Sequence, residues 1–380
     1  MTAKILLIGH EALTIRCGEM IRDAGLTIAA VVTADTDVAA WARDVPVIPP
    51  GAGLADRTGP LDVDWIVSAA NLTLIPDTVL AQARRGAVNF HDGPLPRHAG
   101  LNAPVWAILD GETRHGVAWH MIEGGVDEGD LIATRPVEIT PQDTAQTLNT
   151  KCLAAGIDAF ADVLPQLTGT LDRTPQDMAW RSYHGAADLP PDAGHLPFGR
   201  GTDAVLRLVR ALDHGDRPNP VTTPKLSLGG TLVLAPSASR AAGQGAPGTI
   251  LSTDPFIVAT SDGAVTLTDL RRADGAPLDL AALAQVGKTV VPFDPAHLPH
   301  IEAAACADRH HRATFATFDP LRLHLSGQGG TTCDLGDGHD WSDLLPRLVA
   351  ALGGCADVAV ATPSTSAHVS GWAPFRLDAD

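Results

Sequence analysis

Asn89, His91 and Asp92 leave the end of an apolar run and enter a loop stiffened by Gly93, Pro94 and Pro96. An asparagine amide can donate hydrogen bonds to a developing oxyanion. His91 stands two positions further on, so on a continuing strand it shares the face of Asn89. Prolines fix the loop backbone and lower the entropy of holding a site. A second polar segment sets Glu123, Asp127, Glu128 and Asp130 among glycines directly after another strand-like run. Backbone amides beside carboxylates could grip a polar heterocycle, and one carboxylate could orient His91. Each segment also has a plainer reading. Asn, Asp, Gly and Pro all favour turns, and His91 is then a satisfied surface histidine.

Other chemistries fit less well. The acids of 123–130 fail the calcium-loop pattern, no histidine pair stands at i, i+4, and no metal is expected. Asp334, Asp337 and Asp340 fail the same pattern and read as turn acids. Cys17, Cys152, Cys306, Cys333 and Cys355 are odd in number and widely spaced, which excludes a disulfide scaffold and a cysteine zinc site. Ile8-Gly9-His10-Glu11 does not supply the glycine-rich turn that a dinucleotide needs.

The elements that must position these residues follow from periodicity. Lys4–Gly9 is a short apolar strand, Leu13–Ala24 carries apolar residues at helical spacing, and Thr27–Thr33 is β-branched and apolar. Such strand–helix–strand units build parallel sheets covered by helices. Strands are expected at Trp65–Ala70, Ala87–Phe90, Val117–Ile122 and Leu131–Ile139, and a helix at Pro76–Arg84. Asp143 is expected to cap a long helix, Thr144–Leu164. The first part of the chain reads as a doubly wound, mostly parallel α/β domain over 1–195. A helix over Thr202–Asp213 follows. Short strands then begin at Lys225, Thr231, Gly248, Phe256 and Ala264, so 200–300 reads as a small β-barrel, OB-like domain. Residues 301–380 read as a linker or the start of a further α/β domain, with helices at Ala303–Phe315 and Trp341–Leu352 and strands at Leu321–Leu325 and Val358–Ala361.

The chain has 380 residues, 45% hydrophobic and 19% charged, enough for a sizeable core. No apolar stretch approaches ~20 residues, the length of a membrane span, and the N-terminus lacks the long apolar region of a signal peptide. A cytoplasmic protein is expected. Lys and Arg number 27 against 44 Asp and Glu, a formal net charge of −17, and no basic run exceeds two residues. Nucleic acid is therefore not an expected partner.

Taken together, Asn89 to Ile132 resembles the formyltransferases that use 10-formyltetrahydrofolate. Their pattern is N-x-H, a stiff loop with L-P and a following glycine, then a D-x-G-D-like element about 36 residues after the histidine. Here these are Asn89, His91, Leu95-Pro96, Gly100 and Asp127-Glu128-Gly129-Asp130, and His91 to Asp127 is 36 positions. Leu74-Ile75-Pro76 matches the family's pterin-side segment, and Leu206–Gly229 resembles the start of the C-terminal barrel in the methionyl-tRNA formyltransferase branch. The resemblance implies that Asn89 and His91 stabilise the oxyanion as an amine attacks the formyl carbon. It implies that Asp127 fixes the protonation state of His91 and helps move the amine proton. The pterin would lie against Leu74, Ile75, Pro76 and Val79, with the backbone of Ile122, Gly124 and Val126 reading its edge.

The loop departs from the family's commoner S-L-L-P wording. Asp92-Gly93-Pro94-Leu95-Pro96, with Arg97 to Pro104, Trp106 and the strand His115–His120, is most similar to the formylation domains that open nonribosomal peptide synthetases. That branch implies an aminoacyl group on a carrier protein as acceptor. Ala34–Asp44 is acidic where the transfer-RNA enzymes carry a basic loop. Formylation of methionyl-tRNA or of an amino sugar is the alternative, and a catalytically inactive docking module is the reading from another class.

Overall fold

The computed structural model describes residues 2–303 and the backbone of two strands near the C-terminus. Met1–Gly229 and Val233–Pro292 form one compact unit. Its first strand, β1 (Lys4–Gly9), buries Ile5, Leu6 and Leu7 completely, as a strand covered on both faces must. Helix α1 (Glu11–Asp23) turns Leu13, Cys17 and Ile21 inward at a spacing of four. Strand β2 (Thr27–Val32), helix α2 (Thr36–Trp41), strand β3 (Val47–Ile48), helix α3 (Leu54–Thr58) and strand β4 (Trp65–Ala69) follow. The sequence reading had no α2 or α3. The first exists because the Asp35 carboxylate accepts the N–H groups of Asp37 and Val38 and caps it.

Helix α4 (Asp77–Leu80) is one turn, shorter than the expected 76–84, and Pro76 is its cap rather than its first residue. It stops early because the amides of Arg84 and Arg85 go to the carbonyls of Val63 and Asp64 instead. Then come β5 (Gly86–His91), β6 (Ala99–Gly100), α5 (Ala103–Leu109), β7 (Arg114–Met121), β8 (Leu131–Glu138) and α6 (Ala145–Thr168). The cap of α6 is Thr144, in a reciprocal capping box with Thr147, rather than Asp143. Asp143 instead accepts from Thr140, Thr147 and Lys151.

The seven-stranded sheet runs β3-β2-β1-β4-β5-β7-β8. Strands β1 to β5 pair in parallel within it, and β7 and β8 are antiparallel to their neighbours. Alternate residues of β1 go to opposite faces. Ile5 and Leu7 join a core with Val88, Trp119 and Phe160, and Leu6 and Ile8 join one with Ile66, Val79 and Ala87. The order reverses at β1, so the crevice for a ligand opens at the carboxyl ends of β1, β4 and β5.

A short strand β9 (Tyr183–His184) pairs with β6, and helix α7 (Thr202–Ala211) buries Val205, Leu208 and Val209. Beyond it lie β10 (Lys225–Leu228), β11 (Thr231–Leu234), β12 (Ser237–Ala241), β13 (Ile250–Thr253), β14 (Phe256–Ala259), β15 (Ala264–Thr268) and β16 (Arg271–Arg272). They form a three-stranded sheet β10-β11-β16 and a four-stranded sheet β12-β15-β14-β13. Two small antiparallel sheets are consistent with a small barrel. Strand β12 had no counterpart in the sequence reading, because Ser237–Ala241 has no clear apolar alternation.

In the second unit, β17 (Ala356–Ala361) pairs antiparallel with β18 (Trp372–Leu377). The expected strand at Val358–Ala361 falls within β17. The expected elements at 303–315, 321–325 and 341–352 lie outside the described residues. No helix among the described residues is long and apolar enough to cross a membrane.

Candidate active site

Asn89 and His91 stand at the carboxyl end of β5. The antiparallel register sets Asn89 opposite His120 and His91 opposite Ala118 of β7. His91 is 5% exposed and His120 is 2% exposed. His91 Nε2 donates to the carbonyl of His98 at 2.8 Å, which commits that nitrogen to carrying hydrogen and leaves Nδ1 facing the site. His120 Nδ1 donates in the same way to the carbonyl of Met121 at 2.8 Å. Its Nε2 lies 3.2 Å from Asn89 Nδ2, accepting from that amide when the ring is neutral and donating to Asp127 instead when the ring is protonated. That contact fixes the amide's orientation and leaves its second N–H free.

Asp127 arrives from the turn between β7 and β8. Its Oδ2 lies 3.5 Å from His91 Nδ1 and its Oδ1 lies 3.4 Å from His120 Nε2. The backbone N–H of Gly100 donates to Oδ2 at 2.8 Å. Asp127 sits at a φ of 56°, a left-handed conformation uncommon outside glycine. Burial pushes its pKa up, but the hydrogen bond from His120, the charge of His91 and the Gly100 N–H outweigh burial and hold it down to about 2. Asn89, His91 and Asp127, far apart in sequence, therefore meet around one space, with His120 joining Asn89 to Asp127. This grouping can present hydrogen-bond donors to a developing oxyanion and a carboxylate to a departing proton.

The stiff loop between β5 and α5 is pinned from two sides. His115 Nε2 donates to the carbonyl of Asp92 at 2.7 Å, and a Cβ at Gly93 would lie 2.7 Å from His91 Nε2. Gly100 has a φ of +94°, and a Cβ there would lie 2.1 Å from the carbonyl oxygen of His184. Glycine alone lets the backbone pass that carbonyl while its N–H reaches Asp127. Burial, reinforced by the charges of His115, Arg97, His184 and His91, brings the His98 pKa down to about 3. Among the described residues, His98, Asp110 and Glu112 bring ligand-type atoms within 4.8 Å of one another. Arg97 and His98 already engage Glu112, so its charge is balanced by protein groups. Cys17 and Cys152 are buried thiols with pKa values raised by burial, remote in role from this chemistry.

The residues expected to meet the donor are differently placed. Ile75 and Ile122 pack against the same apolar cluster. Leu74 is 78% exposed, an apolar side chain open to a flat ring. Pro76 and Gly124 are exposed, and Val126 is half-buried. Val79 is a correction: it is fully buried in the core and does not line the surface. The carbonyl of Val126 accepts from Arg181 at 2.8 Å, so part of its capacity is already used.

The sequence pattern of the formyl transferase family matches residues 52–164. A methionyl-tRNA formyltransferase of Macrococcus caseolyticus (strain JCSC5402) is 33% identical over 238 residues, 62% of this chain and 74% of that protein. One from Pseudomonas syringae pv. syringae (strain B728a) is 35% identical over 249 residues, 63% of this chain and 76% of that protein. The chain belongs to the formyltransferase family. Members use 10-formyltetrahydrofolate as donor, and this chain is an enzyme of formyl transfer. The fold agrees. HypX from Aquifex aeolicus in complex with tetrahydrofolic acid superposes with a TM-score of 0.52 at 21% identity, over 72% of this chain and 45% of that one. An N-formyltransferase from Helicobacter canadensis in complex with folinic acid and dTDP-3-aminofucose gives 0.55 at 16% identity, over 71% of this chain and all of that one.

His120 was missed as a site residue by sequence reasoning, where it stood only as the end of a strand-like run. Its signal is the register that sets it opposite Asn89, and that register is not legible from the sequence across the long connection, with β6 and α5, between β5 and β7.

Proposed function

We propose that the chain moves the formyl group of 10-formyltetrahydrofolate to the amine of an aminoacyl group held on a carrier protein, as in nonribosomal peptide assembly. One observation carries the chemistry: Asn89, His91, His120 and Asp127 come together, with both histidines buried and the Asp127 side chain 10% exposed. In this reading the amine nitrogen attacks the formyl carbon. The free N–H of Asn89 and the Nδ1–H of protonated His91 donate to the oxygen as it becomes negative. Asp127 accepts the amine proton, directly or through one water. The bond from the formyl carbon to folate N10 then breaks, and the proton passes to N10. The formyl group is already activated on N10, so alignment and one stabilised oxyanion supply most of the rate.

The donor in this reading lies with its pterin on Leu74, Ile75 and Pro76, its edge toward the backbone of Ile122, Gly124 and Val126. Segment 1–195 is the catalytic domain and 200–300 a barrel that helps to seat the acceptor. The acidic segment after β2 supports a carrier protein over a transfer RNA. Asp35 caps α2, Asp37 lies in its first turn, and Arg22 pairs with Asp44 at 2.7 Å, so the segment offers little to a phosphate backbone. A second reading, methionyl-tRNA as acceptor, is favoured by the relatives at 33% and 35% identity. An inactive docking module would be expected to lose a member of the polar trio, and all three are present.

The test is incubation with 10-formyltetrahydrofolate and a panel of free amino acids, an amino sugar nucleotide, methionyl-tRNA and an aminoacyl carrier protein. Addition of one formyl group to the carrier-bound aminoacyl group, read by mass spectrometry, supports the proposal. Addition to methionyl-tRNA alone turns it to the second reading. No formylated product and no donor consumption would leave the docking module.

A further inference from the structure

Residues 173–184 run from the edge of the sheet to the stiff loop, touching both sides of the site on the way. Arg173 sits at the start, with Nε 3.0 Å from Asp130 Oδ2 and Nη1 3.1 Å from Glu123 Oε1, so it joins the two ends of the acidic turn. Thr174 and Leu131 exchange backbone hydrogen bonds at 2.8 and 2.9 Å. Gln176 Nε2 then donates to the carbonyls of Asp127 at 2.9 Å and Gly129 at 2.6 Å. Arg181 Nη2 donates to the carbonyl of Val126 at 2.8 Å. On the far side, Ser182 accepts the N–H groups of His98, through its side chain, and of Ala99, through its carbonyl. Leu101 N–H goes to the carbonyl of His184.

This segment therefore ties the turn that carries Asp127 to the loop that carries His98 and Gly100, whose carbonyl and N–H hold His91 and Asp127 respectively. Asp127 needs that support. Its left-handed φ of 56° is a sparsely populated conformation that the contacts of its neighbours hold in place. Gln176 supplies the tie at the Asp127 carbonyl itself. Its side-chain oxygen and Arg181 Nη1 are buried without a protein partner, so both side chains give up hydrogen-bonding capacity to hold this geometry.

We infer that Gln176 and Arg181 are positioning residues for formyl transfer, fixing the Asp127 carboxylate against His91 from outside the reacting space. The inference deepens the formyl-transfer reading and rests on it. Neither residue touches donor or acceptor in this scheme. Each acts through the backbone of 126–129, with Gln176 the principal tie.

The experiment compares the wild-type chain with Gln176→Ala, the near-isosteric Gln176→Glu, Arg181→Ala and Arg181→Lys. It has two readouts: steady-state kinetics with 10-formyltetrahydrofolate and the best acceptor, and an NMR titration of the His91 and His120 rings without substrates. Gln176→Ala and Gln176→Glu should lower kcat on the order of 10²-fold, as a displacement of about 1 Å does, with donor KM nearly unchanged. Both should shift the His91 ring resonances and move the acid limb of the kcat profile to higher pH. That sign follows because a loosened Asp127 loses the His120 and Gly100 contacts that oppose its burial. Arg181→Lys, which retains a donor, should recover most of the loss in Arg181→Ala. Arg135→Ala, which removes a surface pair with Asp158 and Asp162 away from the site, should leave all readouts at wild-type values. Folded Gln176 variants with unchanged kcat and ring titration would overturn the inference. Wild-type protein that forms no product, yet whose ring titration responds to Gln176→Glu, would overturn the formyl-transfer reading and keep the tie.

Discussion

Asp127 divides its two oxygens between two histidines, Oδ2 lying 3.5 Å from His91 Nδ1 and Oδ1 lying 3.4 Å from His120 Nε2. Its pKa is held down to about 2 against an ordinary 3.8. A carboxylate depressed on folding contributes stability that is present above its unfolded pKa and lost as pH falls through the folded value. The window here runs from about pH 4 down to about pH 2, and the shift is equivalent to roughly 2 kcal/mol. Asp127→Asn should flatten the fall of Tm with acid across that window. A variant whose Tm falls with acid as steeply as the wild type would show that the carboxylate is not coupled in this way.

Turnover should respond to the same cluster. Asn89→Ala and His91→Ala should each reduce kcat ~10²–10³-fold, the usual cost of a lost oxyanion donor. Donor binding, measured by calorimetry, should survive both. Turnover within threefold of wild type would remove the residue from the catalytic assignment.

His120→Ala should act through Asn89. Without Nε2, the amide loses the acceptor it has when the ring is neutral, and the carboxylate loses the donor it has when the ring is protonated. A fall in kcat of about 10-fold to 10²-fold is expected, with donor KM unchanged. A change confined to KM would assign His120 to binding instead.

Gly100→Ala should be costly for its size. The φ of +94° and the His184 carbonyl oxygen 2.1 Å from the new Cβ force the chain to shift. A loss of about 1–3 kcal/mol in unfolding free energy is expected, together with reduced kcat, because the Gly100 N–H leaves Asp127. Denaturant unfolding and kinetics on the same preparation would check both, and an unchanged unfolding midpoint would count against the crowding.

Leu74→Asp should weaken the donor alone. The side chain is 78% exposed and would be covered by the pterin, and burying a leucine is worth about 1.5–3 kcal/mol. Donor KM should rise about tenfold or more at nearly constant kcat. A normal KM would move the pterin elsewhere on the crevice.

The sequence by itself determined what depends on local periodicity. Strand alternation sets Asn89 and His91 on one face, and the apolar runs from Lys4 to Val32 dictate a strand, a helix and a parallel strand. The spacing of 36 residues between His91 and Asp127 carried the resemblance to the family. Tertiary structure decided what depends on register and on partners distant in the chain. His120 joins the site only because β7 pairs with β5 so that it faces Asn89. Val79 leaves the expected donor wall because its helix is one turn long and points it into the core. Gln176 and Arg181 reach the Asp127 turn from 49 and 55 residues away through side-chain hydrogen bonds to backbone carbonyls. Every residue carries such a carbonyl, so no side-chain pattern announces which one will be bound.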